Sequence, residues 1–302
     1  MDGKPAAPVT WREALRWAKV RLGQAADRPA RAAELLLCAA AEVRREELYA
    51  RPETVMPPDR WALFRAWVER HRSGEPIQYI VGHETFFGLT FTVNRHVLIP
   101  RPETELLVEA VLQEMSMAAS ARSSARPVRA ADIGTGSGVI AITLARLNPG
   151  WDVWAVDCSE PALAVARENA RRLGVPGIRW LAGDYCSPLV ELGVRVDLLV
   201  SNPPYVARPE IGRLAPGVRD FEPRLALDGG EDGLDAYRRI VGQLPAVLQP
   251  GALVAFEVGK DQAEAVLGLL RGNGFAAVWT KEDLAGIPRF VFARFPDVYE
   301  GC

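Results

Sequence analysis

An α/β fold, an open and mostly parallel sheet covered by helices, is what this sequence predicts for its larger part, on three observations. From Arg101 onward, short apolar β-branched segments alternate with helical ones: "VRAADI", "WDVWAVD", "EPALAVARENARRLG", "IRWLAG", "VDLLVSN" and "GALVAFEVG". A glycine cluster, "GTGSG", stands where the first of these strands turns into its helix. The fourth strand runs into "NPPY" and has to end there, because proline lacks the N–H a ladder needs and keeps the residue before it extended.

Taken in order, residues 1–78 read as a helical domain. In "TWREALRWAKVRLG" Thr10 is a candidate N-cap, Trp11, Leu15 and Ala18 share a face, and Gly23 is a stop. "RAAELLLCAAAEV" and "PPDRWALFRAWVERHRSG" continue the helical pattern, the second with prolines at its start and Gly74 after its last turn. Residues 79–100 are expected to form a β-hairpin linker, since between Glu84 and Ile99 the pattern becomes aromatic and β-branched around a glycine. Residues 101–302 make up the sheet domain, with a helix opening at Ser137 and a flexible surface connection over 116–127, "SMAASARSSARP".

A chain of 302 residues, 49% hydrophobic, is long enough for two domains and a sizeable core. No apolar stretch approaches the ~20 residues of a membrane span, and "MDGKPAAPVTW" holds no hydrophobic leader, so no membrane association and a cytoplasmic, monomeric protein are expected. Cys38, Cys158, Cys186 and Cys302 show no metal-ligand spacing; no metal is expected and the thiols read as free. His71, His83 and His96 are scattered outside the sheet domain and read as structural or surface residues. The net charge is −2, with 15 Lys/Arg against 12 Asp/Glu in residues 1–96 and 21 against 26 beyond, which lacks the basic excess of a dedicated nucleic-acid binder.

The chemistry is expected at the strand ends. Gly134, Thr135, Gly136, Ser137 and Gly138 would let backbone pass close to a ligand and aim helix-start N–H groups at an anionic group. Their G-x-G-x-G spacing is not that of a dinucleotide site, because Val139 occupies the final glycine's place. Asp157, about 20 residues on, can accept from both hydroxyls of a ribose. Its other reading is an N-cap for the next helix, although Ser159 is available for that. Asp184 can accept from an adenine amino group with Tyr185 packed beside it, or can be a turn aspartate. Together these strand ends make a pocket for an adenosine.

Within "NPPY", the Asn202 side-chain oxygen and the Pro203 carbonyl can both face that pocket, held by the restricted torsions of the prolines. Two acceptors side by side fit a planar NH₂ group. Such a nitrogen is a poor nucleophile and needs positioning against an electrophile; accepting both its hydrogens favours the positive charge it gains as a methyl group arrives. The sulfonium methyl of S-adenosylmethionine suits the electrophile, and its adenosine and carboxylate suit the pocket. A rigid turn without chemistry is the alternative for this motif.

These residues, with "GEPIQYIVGHETFFGLTFTVN", "LIPRPETELLVE", "FEPRLALDGGEDGLDAYRRI", "FEVGKDQ" and "DLAGIPRFVFAR", resemble the protein-(glutamine-N5) methyltransferases of the HemK/PrmC family from about Gly74 to the end. The resemblance implies a Rossmann-like, seven-stranded S-adenosylmethionine-dependent methyltransferase sheet, its last strand antiparallel, a hairpin linker, and a small helical domain that helps hold the substrate. It implies that residues 134–138, Asp157, Tyr185 and Asn202 contact S-adenosylmethionine. Asn202, Pro203, Pro204 and Tyr205 would hold the glutamine of the Gly-Gly-Gln motif of peptide chain release factors. Tyr185 stands where many members carry tryptophan, and an aromatic is retained.

Two other classes share parts of this pattern. A DNA or RNA adenine or guanine amino-methyltransferase would use the same "NPPY", but needs clustered basic residues and a stacking pocket for a flipped base; the acidic excess of residues 97–302 argues against it. A non-catalytic nucleotide-binding module has no need of an intact "NPPY".

Overall fold

The computed structural model describes residues 9–23, 27–119 and 126–297. The chain divides into two compact units: residues through His83 together with Ala215–Phe221, and Glu84–Leu214 with the chain from Glu222 on.

The first unit is helical: α1 (Trp11–Leu22), α2 (Pro29–Ala41), α3 (Arg45–Ala50), α4 (Pro58–Arg72) and α5 (Ile77–Val81). Thr10 caps α1 in a reciprocal box with Glu13, each side chain accepting from the other residue's backbone N–H. α2 and α4 open on prolines, whose fixed φ suits a first turn where an N–H has no partner anyway. Ala14, Ala18, Leu22, Leu36, Leu37, Phe64 and Val68 close the core of this unit.

The second unit starts with β1 (His83–Phe86) and β2 (Leu89–Thr92). The hairpin is shorter than the stretch expected for it. Its predicted first residues form α5 instead, which ends at Gly82 with φ 83°, and the chain after Thr92 bends at Asn94, whose side chain and carbonyl accept from the His96 and Val97 N–H groups. Phe87 and Gly88 both take positive φ (52° and 72°), as a two-residue primed turn requires. Glu105 accepts from the Phe87 N–H at 2.6 Å and supports that unusual phenylalanine. Phe86 and Phe91 are buried against the large sheet.

Next come α6 (Pro102–Ala119), β3 (Arg129–Ile133), α7 (Val139–Leu147), β4 (Asp152–Asp157), α8 (Glu160–Arg172), β5 (Arg179–Ala182), α9 (Ser187–Glu191) and β6 (Val196–Ser201). The chain continues through α10 (Pro216–Arg219), which belongs to the helical unit, and then α11 (Asp235–Val247), β7 (Leu248–Glu257), α12 (Ala263–Gly272), β8 (Ala277–Glu282) and β9 (Pro288–Arg294). The surface connection expected over 116–127 is α6 as far as Ala119; residues 120–125 lie outside the described ones.

Seven strands form one sheet in the order β5-β4-β3-β6-β7-β9-β8, all parallel except β9, which runs antiparallel to both its neighbours. Side chains alternate between the faces: Ala131, Ile133, Leu199, Val254 and Phe256 pack on one side, and Ala130, Leu198, Val200, Leu253 and Ala255 on the other. Both faces are covered, which is why these strands read as continuous apolar runs. The chain leaves β3 towards β4 and β5, then returns to lay β6 on the other side of β3, and at such a switch the carboxyl ends open a crevice.

Candidate active site

A cavity opens beyond the carboxyl ends of β3, β4, β5 and β6. Of the residues picked out from sequence, Gly134, Thr135, Gly136, Ser137, Asp157, Asp184, Tyr185, Asn202 and Pro204 line it. Gly138, Pro203 and Tyr205 do not. His96, read as remote from the sheet domain, lines the cavity as well, with Arg101, Thr104 and Arg239.

The three loop glycines differ in purpose. All take left-handed φ (75°, 56° and 84°), strained for any other residue. A Cβ on Gly134 or Gly136 would meet nothing within 4 Å, so their backbone faces open space. On Gly138 it would come 2.9 Å from Ile142 Cδ1 and 3.1 Å from Ala166 Cβ, so this glycine serves the packing of α7 on α8. The helix opens at Val139, two residues later than expected, because Gly136 and Gly138 are left-handed. Its N–H groups are only partly free for an anion: that of Ala141 donates to Asp132 Oδ2 at 3.1 Å.

Asp132 was not among the expected residues. It is buried, accepts the Thr135 hydroxyl at 2.6 Å, and leaves Oδ1 without a hydrogen-bond partner among the described residues. Burial pushes its carboxyl up to about 7, with a smaller contribution from the Asp157 charge.

Asp157 ends β4. Its Oδ2 accepts from the Gly136 N–H at 2.8 Å and its Oδ1 from the Ser159 N–H at 2.9 Å, while the Ser159 hydroxyl caps α8 by accepting from Ala162. The N-cap reading therefore passes to Ser159. A carboxylate has about four acceptor positions, and two backbone donors leave the rest for hydroxyls in the cavity. Burial raises the Asp157 pKa, against these two N–H groups and the nearby Cys158 N–H, which lower it.

Asp184 has a partner that no motif announces: Arg239, on α11, forms an ion pair with its carboxylate and stacks its guanidinium 4.9 Å from the Tyr185 ring centroid. Tyr185 is half-buried with φ 49°, a strained value for an aromatic residue, which turns its ring to the cavity wall.

"NPPY" leaves the end of β6. Asn202 Nδ2 donates to Thr104 Oγ1 at 3.2 Å, and no donor among the described residues reaches the Pro203 carbonyl. Behind the motif, Gln262 Nε2 donates to the Tyr205 carbonyl at 2.9 Å. The glycines of "DGGEDG" fit against the same turn: a Cβ on Gly229 would stand 2.8 Å from the Pro204 carbonyl oxygen, and one on Gly233 would collide with that of Tyr205. The torsions of the prolines are one restraint, and the close backbone packing of residues 229–233 is a second.

Residues 13–82 match the family described as PrmC N-terminal domain, and residues 104–214 the one described as Methyltransferase small domain. The chain is 43% identical over 283 residues to a release factor glutamine methyltransferase of Bacillus anthracis, covering 93% of this chain and 98% of that one. It is 39% identical over 300 residues to one of Nitratidesulfovibrio vulgaris, covering 97% and 98%. The chain belongs to the release factor glutamine methyltransferase family.

Solved structures support the fold of this family member. The catalytic domain of hMettl16 in complex with MAT2A 3'UTR hairpin 6 aligns with a TM-score of 0.54 at 16% identity, over 83% of this chain and 87% of that one. The T. thermophilus 16S rRNA N2 G1207 methyltransferase aligns with 0.51 at 20% identity, over 70% and 49%. Residues absent from the sequence-based reading of the site are Asp132, Thr104, Glu257, Arg239 and the Arg101–Glu222 pair, 2.6 Å apart with Glu222 buried. For Thr104 and Arg101 the "PRPETE" segment was a signal without a role. For Glu257 the signal was a lone acid at the end of an apolar strand.

Proposed function

We propose that this protein transfers a methyl group from S-adenosylmethionine to the side-chain amide N5 of the glutamine in the Gly-Gly-Gln motif of peptide chain release factors. The observation that carries the mechanism is the setting of Asn202. With Nδ2 engaged by Thr104, its Oδ1 is the atom left to accept from a ligand, next to a Pro203 carbonyl that no donor among the described residues reaches.

The residues fit S-adenosylmethionine. Asp157 keeps acceptor positions for two ribose hydroxyls, Gly134 and Gly136 offer open backbone, and Tyr185 offers an aromatic face for adenine. Asp184, tied to Arg239, has its second oxygen for the adenine amino group. When bound, S-adenosylmethionine supplies an electrophilic sulfonium methyl. Asn202 and Pro203 accept the two N–H hydrogens of the glutamine amide, fix the nitrogen's direction and favour the positive charge it gains. Pro204 and Tyr205 hold the turn that carries both acceptors. Residues 1–78, the helical domain, help hold the release factor, with 79–100 leading into the catalytic domain of 101–302.

Incubation with release factor and labelled cofactor, followed by mass spectrometry of the Gly-Gly-Gln peptide, tests the proposal. One added methyl on that glutamine is expected; the label on another residue or on nucleic acid would overturn it.

A further inference from the structure

Glu257, the last residue of β7, is fully buried and is assigned no part in holding cofactor or glutamine. Its Oε2 accepts the Thr104 hydroxyl at 2.6 Å, and Thr104 Oγ1 in turn accepts from Asn202 Nδ2 at 3.2 Å. Oε1 has no hydrogen-bond partner among the described residues and lies 3.7 Å from the Arg289 guanidinium, which reaches the Tyr205 hydroxyl at 3.5 Å. A buried acid thus stands two hydrogen bonds behind the side chain expected to hold the substrate.

A hydroxyl has one proton to give. An ionised carboxylate only accepts, so the Thr104 proton goes to Glu257 and Thr104 can only accept from Asn202. This turns Nδ2 towards Thr104 and leaves Oδ1 for the glutamine amide. With Glu257 protonated the chain can run backwards: the acid donates to Thr104, Thr104 donates to Asn202 Oδ1, and Asn202 then shows a donor to a substrate group that is itself a donor. We infer that Glu257 and Thr104 are positioning residues that hold Asn202 as an acceptor through the direction of these two hydrogen bonds. The inference rests on the role proposed for Asn202.

The groups around Glu257 bear on its charge. From α6 come Thr104 and Glu103, with Arg101 just ahead of the helix; β9 supplies Arg289; Tyr237 of α11 donates to the Glu257 backbone carbonyl at 2.7 Å. Burial, the largest influence, pushes the Glu257 carboxyl up to about 7; Glu103 adds to this, while Thr104, Arg289 and Arg101 favour the ionised form. The acceptor-directing state is therefore gained as pH rises through that region and lost as it falls.

Single-turnover methyl transfer to intact release factor, with both substrates saturating, is to be measured across pH for the unmodified protein, Thr104→Ser, Thr104→Val, Glu257→Gln and Asn202→Ala, with cofactor affinity measured on each. The unmodified protein and Thr104→Ser are expected to gain rate as pH rises through about 7, the region of Glu257 ionisation. Thr104→Val should lose roughly 10–100-fold at high pH, as supporting hydrogen bonds behind a functional group commonly do, and should lack that limb, with cofactor affinity unchanged. Glu257→Gln should lack the limb as well; if it does not fold, the Thr104 pair decides. A Thr104→Val enzyme as fast as the unmodified one, or the same limb in Glu257→Gln, overturns the inference. An inactive Asn202→Ala beside a fully active Thr104→Val refutes this inference alone, whereas a fully active Asn202→Ala refutes the role proposed for Asn202 as well.

Discussion

The two ends of the cavity are built by different means. At β3 and β4 the chain holds its own loop: Gly134 and Thr135 donate to the Val156 carbonyl, Gly136 to Asp157, and Thr135 and Ala141 to Asp132, all within one strand-helix-strand stretch. At β6, "NPPY" is held from afar: by Thr104 of α6, by Gln262 ahead of α12, and by the backbone of residues 229–233. On the roles proposed here, the cofactor end is encoded in one segment, whereas the end proposed for one amide side chain, where a fraction of an ångström matters, draws on the rest of the domain.

Changes at the two ends should therefore separate binding from turnover. The largest effect is expected at Asn202: replacement by alanine removes one preorganised acceptor, which typically costs on the order of 10²–10³ in rate, seen in single-turnover transfer. Next is Asp157→Ala, which should weaken cofactor binding by on the order of 1.5–3 kcal/mol for each charge-assisted hydrogen bond lost, read by calorimetry. It also frees the Gly136 and Ser159 N–H groups, so a lower melting temperature should accompany it.

Gly233→Ala would sharpen the contrast from the β6 end, since its φ of 78° and the neighbouring Tyr205 carbonyl leave no room for a methyl group. A loss of about 1–3 kcal/mol in stability is expected from such backbone clashes, together with slower transfer at unchanged cofactor affinity. The smallest effect concerns pH. Asp132 is raised to about 7 from an ordinary carboxylate value in the unfolded chain, so its contribution to stability is fully present below the unfolded value and lost as pH rises through about 7. The stability deficit of Asp132→Asn should accordingly shrink between acidic and mildly alkaline pH, measured as the melting-temperature difference from the unmodified protein.

What the sequence showed follows the same division. The helices α1, α2, α4 and α8, the strands β3 to β7, the glycine loop and Asp157 are local patterns, and each stands within a few residues of where it was read. Thr104 and Glu257 are 153 positions apart, and no periodicity or motif joins them; only the fold brings an α6 hydroxyl to the end of β7. Arg239 was invisible for the same reason: it lies on α11, for which no helix was read, and its partner Asp184 is 55 positions away. The return of Ala215–Phe221 to the helical unit likewise had no local mark. The late start of α7 was open to sequence reasoning, since three glycines in five residues delay a helix.

The most direct test crosses the two ends. Asn202→Ala and Asp157→Ala are to be compared on matched preparations for equilibrium cofactor affinity and for single-turnover methyl transfer at saturating cofactor. The expected result is a crossed pattern: Asn202→Ala binds S-adenosylmethionine nearly as the unmodified protein does and scarcely transfers, whereas Asp157→Ala binds it weakly and, once loaded, transfers at a rate much closer to normal. Transfer by Asn202→Ala at close to the unmodified rate would contradict the account, leaving "NPPY" as a turn and nothing more.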